Sequence, residues 1–377
     1  MTRYAHITGW GMAVPDRVLT NEDLAQMADT DDEWIVSRTG IRERRIAQSD
    51  ETTATLAAAA ARQAIEPTDI DAHEVDLIIV ATSTPEHLFP STASLVQDML
   101  GAANAGAFDL SAACTGFIFA LNMAAQAIRT GAIDNAVVIG SETMSRVIDW
   151  EDRTTCILFG DGAGAFVLQG RERPGGILNS IMRSDGSGGD LLSIPAGGSR
   201  LPTTHETVDE KLHLLQMNGR EVFRFATRVM ASATKEVVAE AGMEIEDIDL
   251  VIPHQANQRI IETAARGLKL SMDKFYVNLS KYGNTSTASI PIAFYEAFED
   301  NRIHDGDNMV FVAFGAGLTW GALVVTWVEP EIVVTTGKQR RRKIISSLAR
   351  IRSILRRLRR KIEGIMFGTT SRGEPEI

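Results

Sequence analysis

A chain of 377 residues, 44% hydrophobic and with a mean hydropathy of −0.03, has apolar material for a large core and length for two α/β units. Two cysteines with no CxxC or Cys/His spacing argue against a disulfide framework or a zinc site, and no apolar run nears the ~18–20 residues of a membrane span. The net charge of −11 is unevenly spread: from Lys338 onward thirteen basic residues face three acidic ones, a net of +10, which leaves −21 on the first 337 residues.

The opening stretch, MTRYAHITGWGMAVPDR, contains no uninterrupted apolar segment, so no signal peptide is expected and a reducing cytoplasm is the expected compartment. Residues 52–65 and 91–100 are predicted helices. Between them VDLIIVATSTPEH (75–87) reads as a strand buried on both faces and a polar loop. GAANAGAFDL (101–110) reads as a short buried strand. After it Phe117, Leu121, Ala124 and Ile128 recur at helical spacing up to Gly131. Cys114 of DLSAACTGF therefore falls at a strand-to-helix turn. A helix N-terminus favours negative charge and is expected to lower the thiol's pKa. The plainer reading of a lone cysteine is buried packing, and that is the expectation for Cys156 in TTCILFGDGAG. GDGAGA (160–165) is followed by no phosphate-loop lysine and reads as a turn before the strand AFVL. SDGSGGDLL (184–192) and PAGGSRLPTTHE (195–206) read as loops. Helices are predicted over 221–241 and 286–299. Apart from His254, the histidines lie in polar or linker contexts and receive no role.

An internal repeat organises the body. VDLIIVATSTPEH and IDLVIPHQANQR (248–259) share Asp-Leu, a β-branched run and a polar loop, with Asp76 and Asp249 173 positions apart. DNAVVIGSE (134–142) and DNMVFVAFG (307–315) repeat at the same offset. So long a period indicates a duplicated α/β half rather than a solenoid. The predicted halves are residues 1–172 and 173–330, followed by a linker and helical extension over 331–377. The offset carries Cys114 onto Thr287, in a second small-residue turn entering a helix. Two helix N-termini would thus approach one centre, where a thiol (Cys114), an imidazole (His254) and a carboxamide (Asn284) converge.

DLSAACTGF, GDGAGAFVL, PHQANQRI, YGNTSTAS and AFGAGLTWG, with TDDEWIVSRTGIRERRIA (30–47), are collinear with the β-ketoacyl-acyl carrier protein synthase III family, and the chain resembles that family from about residue 3 to about 328. The resemblance implies a thiolase-like α/β fold of five layers, α-β-α-β-α, in two pseudo-symmetric halves, and a homodimer. It implies decarboxylative Claisen condensation of a short acyl-CoA starter with malonyl-acyl carrier protein at the start of type II fatty acid synthesis. The alternatives are a related condensing enzyme of a polyketide or specialised pathway, or a tail-recruited assembly protein with a vestigial site. By resemblance Cys114 is the nucleophile, and His254 and Asn284 support decarboxylation. Trp34, Arg38 and Arg153 hold CoA, while Gly219 and Asn257 line the pantetheine tunnel. Arg224, Arg259 and Arg266 receive the acidic acyl carrier protein, and Phe89 reaches the partner's acyl pocket. Thr115 and Ala316 depart from residues common at those places and are expected to tune the acyl pocket.

That chemistry fits these residue types. A cysteine thioester supplies the electrophile. Loss of CO2 makes an enolate whose oxygen needs donors, which neutral His254 and the Asn284 amide provide. Backbone N–H groups at Cys114 and in the Gly315–Gly317 turn suit the later oxyanion. A degradative thiolase would carry a second catalytic cysteine in the last glycine-rich loop, and AFGAGLTWG has none. Acyl-CoA is then a substrate, and no cofactor or metal is expected.

In the tail Ile344, Leu348, Ile351, Leu355, Leu358, Ile362 and Ile365 form one apolar helical stripe among arginines. Residues 338–366 are expected to lie on an anionic membrane surface, peripheral to its inner face. Docking of the carrier protein or of the chain's own acidic body is the second reading, and a solvated tail is the plain one. Nucleic acid is not expected, because aromatics for base stacking are lacking.

Overall fold

The computed structural model describes residues 2–330, together with Leu355, Leu358, Arg359 and Ile362. The apolar, β-branched runs of the first half form β1 (Tyr4–Ala13), β4 (Leu77–Ala81), β5 (Gly106–Leu110), β6 (Asn135–Thr143) and β7 (Asp161–Arg171), with β2 (Val18–Thr20) and β3 (Glu43–Arg45) as a small separate pair. Those of the second half form β8 (Gly176–Ser184), β11 (Leu250–Pro253), β12 (Asn308–Gly315) and β13 (Thr319–Thr326), with β9 (Leu192–Ser193) and β10 (Gln216–Met217) paired apart. The first sheet runs β1-β7-β6-β4-β5 and the second β8-β13-β12-β11. Four strands of the first sheet correspond in order to the four of the second, and the starts of β4 and β11, and of β6 and β12, stand 173 residues apart. In each half the middle pair, β4 with β6 or β11 with β12, is parallel and the next two strands are antiparallel. β5 has no strand counterpart. Its place beside β11 is marked only by an isolated bridge from Val251 to Phe275.

The helices are α1 (Asn21–Leu24), α2 (Asp32–Thr39), α3 (Thr53–Ile65), α4 (Thr92–Leu100), α5 (Gly116–Arg129), α6 (His205–Asp209), α7 (Gly219–Glu240), α8 (Gln258–Leu268), α9 (Leu279–Tyr282) and α10 (Ser289–Glu299). α3 and α4 cover the outer face of the first sheet, and α7 the outer face of the second with α8 packed beside it. α5 and α10 lie between the two sheets. There Phe166 of β7 meets Phe117 of α5 at 5.1 Å and Phe294 of α10 at 4.7 Å between ring centroids. Phe294 in turn meets Phe311 of β12 at 6.0 Å. Edge-to-face rings from both sheets and both helices thus tie the layers together. The order is helix, sheet, helix, sheet, helix.

Four expectations are corrected here. The strand before Cys114 is not buried: β5 is a sheet edge and Phe108 is 39% exposed. GDGAGA is not a turn, because β7 already begins at Asp161. Its small residues are needed where Gly164 passes under α10, since a side chain there would meet Pro291 at 2.6 Å. His6 lies buried in β1 and bonds the Arg173 carbonyl at 2.9 Å, rather than in a polar linker. The stretches 184–192 and 195–206, expected as loops, also hold a 3-10 turn (Gly186–Leu191), the first residue of β9 and the start of α6. The predicted tail helix falls outside the described residues except at four positions, all helical and exposed. Among the described residues no helix is long and apolar enough to cross a membrane.

Candidate active site

The two central helices each begin with a one-turn 3-10 segment, Ala113–Thr115 before α5 and Ser286–Ala288 before α10. The two segments are 173 residues apart and pack against each other. Each opens on a non-glycine residue in the left-handed region, Ala113 (φ 47°) and Ser286 (φ 49°). Such backbone is uncommon outside glycine and clusters at functional sites. Thr115 pins the first turn by donating to the Ala112 carbonyl at 2.6 Å and meeting Thr319 at 2.8 Å. It is a local anchor within the chain, fully buried.

Cys114 is 8% exposed, on the segment that packs against Ser286–Ala288. The last glycine-rich loop closes on it. A methyl group at Gly315 would lie 2.7 Å from the Cys114 amide nitrogen, so only glycine lets the two backbones come this close. Gly317 sits further on, against Thr319. The sequence pointed to a lowered thiol pKa, and the structure reverses it. Burial pushes the thiol up to about 12, the Glu142 carboxylate adds to this, and the Ser286 contact only partly offsets it.

His254 follows β11 and is fixed by its amide bond to the Val312 carbonyl at 2.8 Å. Its Nδ1 meets Ser289 Oγ at 2.7 Å, and Ser289 Oγ also accepts the Gln255 amide at 3.4 Å. The serine hydroxyl can donate to Nδ1 as well as accept from it, and in the tautomer in which it donates the ring carries its proton on Nε2. That Nε2 is buried and has no hydrogen-bond partner among the described residues. Burial lowers the ring's pKa to about 3, so it is neutral at physiological pH. The imidazole stands edge-on to Phe314, 5.4 Å between centroids, one residue before Gly315.

Asn284 is held through its backbone to Leu158 (2.8 Å) and Gly160 (3.1 Å), and its Oδ1 accepts the Ser286 amide at 2.8 Å. This orients the carboxamide and commits its oxygen. Among the described residues none accepts from its Nδ2. The six residues 284–289 therefore supply Asn284, pack against the segment that carries Cys114 and meet His254 through Ser289. Of the three predicted groups, Asn284 lies on this turn, His254 bonds to it and Cys114 lies on the segment packed against it.

Trp34, on the N-terminal turn of α2, is flanked by the guanidinium groups of Arg38 at 4.7 Å and Arg153 at 5.3 Å from its ring. Asn257 caps α8 through Arg259 and donates its Nδ2 to the Arg38 carbonyl at 3.0 Å, which joins this aromatic-basic patch to α8. Gly219 opens α7. Arg224 on α7 and Arg259 and Arg266 on α8 are exposed on adjacent outer helices, with Arg259 over the Phe223 ring at 5.4 Å. Phe89 lies far from this cluster in sequence, on a loop where it is 87% and Leu88 85% exposed. Cys156 packs among Leu19, Ile35 and Ile157, as expected.

Residues 108–186 match the family model described as 3-oxoacyl-[acyl-carrier-protein (ACP)] synthase III, and residues 238–327 match its C-terminal model. The chain is 54% identical over 323 residues to a β-ketoacyl-[acyl-carrier-protein] synthase III of Caldanaerobacter subterraneus subsp. tengcongensis, covering 86% of this chain and 98% of the relative. It is 56% identical over 321 residues to one of Symbiobacterium thermophilum, covering 85% and 97%. The crystal structure of the Aquifex aeolicus 3-oxoacyl-[acyl-carrier-protein] synthase III superposes with a TM-score of 0.79 at 46% identity, covering 86% of this chain and all of that one. The chain belongs to the 3-oxoacyl-[acyl-carrier-protein] synthase III family. Its fold is the five-layered one that the sequence resemblance implied.

Sequence reading missed Glu142, Ser286 and Ser289. For Glu142 a signal was present: a carboxylate closing the apolar run VVIGSE has no place in a buried strand without a purpose.

Proposed function

We propose that this protein carries out the initiating condensation of fatty acid synthesis, joining a short acyl-CoA starter to malonyl-acyl carrier protein with release of CoA and CO2. The observation that carries it is the 284–289 turn, which bears the carboxamide of Asn284, holds the neutral imidazole through Ser289 and packs against the segment that carries Cys114. Cys114 takes the acyl group as a thioester. The Nε2–H of His254 and the Nδ2–H of Asn284 donate to the enolate oxygen as CO2 leaves. The backbone around Cys114, Gly315 and Gly317 receives the tetrahedral oxyanion. Trp34 with Arg38 and Arg153 offers an aromatic face ringed by positive charge, suited to the base and phosphates of CoA. Gly219 and Asn257 line the pantetheine path, and Arg224, Arg259 and Arg266 receive the acidic carrier protein. The scheme needs no resident cofactor or metal.

A homodimer is supported by β5, an open sheet edge of the kind proteins pair or cover, and by the exposed Leu88-Phe89 loop, from which Phe89 enters the partner's acyl pocket. The cytoplasm is the compartment in which both substrates meet. Residues 338–366 hold the protein against an anionic membrane surface. Leu355, Leu358 and Ile362, helical, exposed and spaced on one face, support this.

The test is acylation with a panel of acyl-CoAs read by intact mass, then addition of malonyl-carrier protein. The expected result is acylation lost in Cys114→Ala and β-ketoacyl product from one starter class. Acylation without product would move the enzyme to another extender, and no acylation would make Cys114 structural. For the tail, co-sedimentation with anionic vesicles compares the full chain with one ending at Gly337. Equal binding by both removes the membrane attachment.

A further inference from the structure

The carboxyl group of Glu142 is fully buried at the end of β6. Its hydrogen bonds fall unevenly on the two oxygens. Oε2 accepts from Thr84 Oγ1 (2.6 Å), the Thr84 amide (3.0 Å), Thr82 Oγ1 and the Ser83 amide (both 3.1 Å). The Thr84 hydroxyl oxygen itself accepts the Thr143 amide at 2.9 Å, so its own proton is free for Oε2. Oε1 shares the Ser83 amide at 3.1 Å, and its other neighbour among the described residues is Thr287 Oγ1, also at 3.1 Å. The Thr287 hydroxyl has one proton and a nearer acceptor, the Ala81 carbonyl at 2.8 Å. With that proton on the carbonyl, Thr287 Oγ1 and Oε1 would face each other as two bare acceptors unless Oε1 carries a proton of its own.

The surroundings of the group favour the same state. Among the described residues Glu142 makes no ion pair, and its partners are neutral dipoles. Those dipoles favour the charged form and burial opposes it. Burial prevails and raises the group's pKa. Neutrality also removes a conflict with the thiol, because a Glu142 carboxylate adds to the Cys114 pKa only while it is charged. The neighbouring carboxylates are engaged elsewhere. Asp161, opposite Thr143 on β7, accepts from Ala47 and Ser145, and Glu86 accepts from Ala54.

We propose that Glu142 is a neutral carboxylic acid at physiological pH, with its proton on Oε1 and donated to Thr287 Oγ1, and that it is a positioning residue for Cys114. Through Oε2 it holds residues 82–84, the loop that follows β4. Through Oε1 it holds Thr287, whose own proton goes on to the Ala81 carbonyl at the end of β4. The order of donation, Oε1 to Thr287 to Ala81, fixes Thr287 between β6 and β4. Thr287 is central to Ser286–Ala288, the segment that opens α10 and packs against Ala113–Thr115, which carries the thiol. The fit there is close: a side chain at Gly116 would lie 3.2 Å from the Thr287 methyl group. An acid that donates, rather than a carboxylate that only accepts, supports this segment without building in a full charge against the Cys114 thiolate. The positioning role rests on the reading of Cys114 as the acylated nucleophile; the protonation state does not.

The experiment compares the full chain with Glu142→Gln by infrared difference spectroscopy at neutral pH, without substrate. Exposed carboxyl groups are ionised there. The wild type should show a carboxylic-acid C=O band that shifts in D2O and is lost in Glu142→Gln. Loss in that variant separates the band from Asp161, another buried acid whose pKa burial raises. Thr287→Val keeps the side-chain shape and removes the acceptor, so it should move the band to higher frequency. It carries the test if Glu142→Gln fails to fold. Acylation by acetyl-CoA is the second readout. A glutamine amide donates where the acid does, so Glu142→Gln should acylate within about threefold of the wild type, while Glu142→Leu, with no donor, should be ~10–100-fold slower. No acid band in the wild type, or a folded Glu142→Gln as slow as Glu142→Leu, overturns the proposal. A wild type that no acyl-CoA acylates would overturn the nucleophile assignment instead, and the infrared band would still decide the state of Glu142.

Discussion

A thiol held near a pKa of 12 is almost wholly protonated at neutral pH, so the electrostatics around Cys114 store it safely rather than prime it. His254 shows the same preference for neutrality. Its folded pKa of about 3 lies below the ordinary 6.5, so between those values the unfolded chain binds a proton that the folded chain does not. Stability contributed at this residue is complete above about pH 6.5 and is lost as the pH falls toward 3. In His254→Asn the rise of unfolding free energy with pH across that window should be shallower by ~1.4 kcal/mol per pH unit. Urea unfolding of both proteins at several pH values checks it, and equal slopes would mean that the ring is charged in the folded state. The residue types of the site were legible in sequence, since Cys114, His254 and Asn284 sit in motifs. Their ionisation was not, because burial outweighs the helix N-terminus and burial is a property of the packed molecule.

At the scale of elements, α2 and α8 build the proposed CoA patch with side chains that carry little of the fold. Trp34 is only partly buried, so Trp34→Ala should raise KM for acyl-CoA with kcat nearly unchanged and with little loss of stability. A comparable fall in kcat would place Trp34 in the chemistry rather than in binding. The end of β12 behaves differently. Gly315→Ala drives a methyl group into the Cys114 backbone, and overpacking of this kind typically costs ~1–3 kcal/mol. Acylation should be nearly abolished while the melting temperature drops by only a few degrees. Normal acylation in this variant would show that the loop swings freely. The helices at 53–65, 92–100, 219–240 and 289–299 agree with their hydrophobic patterns to within three residues at each end. The edge character of β5 escaped notice because a strand's neighbours are set by topology, and a five-residue run does not encode them.

For the whole molecule, the 173-residue offset made the architecture readable without any structure. It held because the matched runs are core strands, where volume and patterning constrain substitution most tightly. The basic extension lies outside the matched runs. A chain ending at Gly337 should therefore unfold at the same temperature as the full chain in vesicle-free solution, by calorimetry. A clear loss of stability would show that the tail docks on the acidic body.

The duplication also bears on stoichiometry. Thr287 stands where the repeat would place a second Cys114, and its hydroxyl donates to the Ala81 carbonyl at 2.8 Å with Glu142 Oε1 3.1 Å away. Glu142 in turn stands where the other half has Gly315. One seat of the pair holds a reactive atom and the other holds fixed polar groups, so each polypeptide has capacity for a single acyl group. At saturation the mass of every chain rises by one acyl unit and no more.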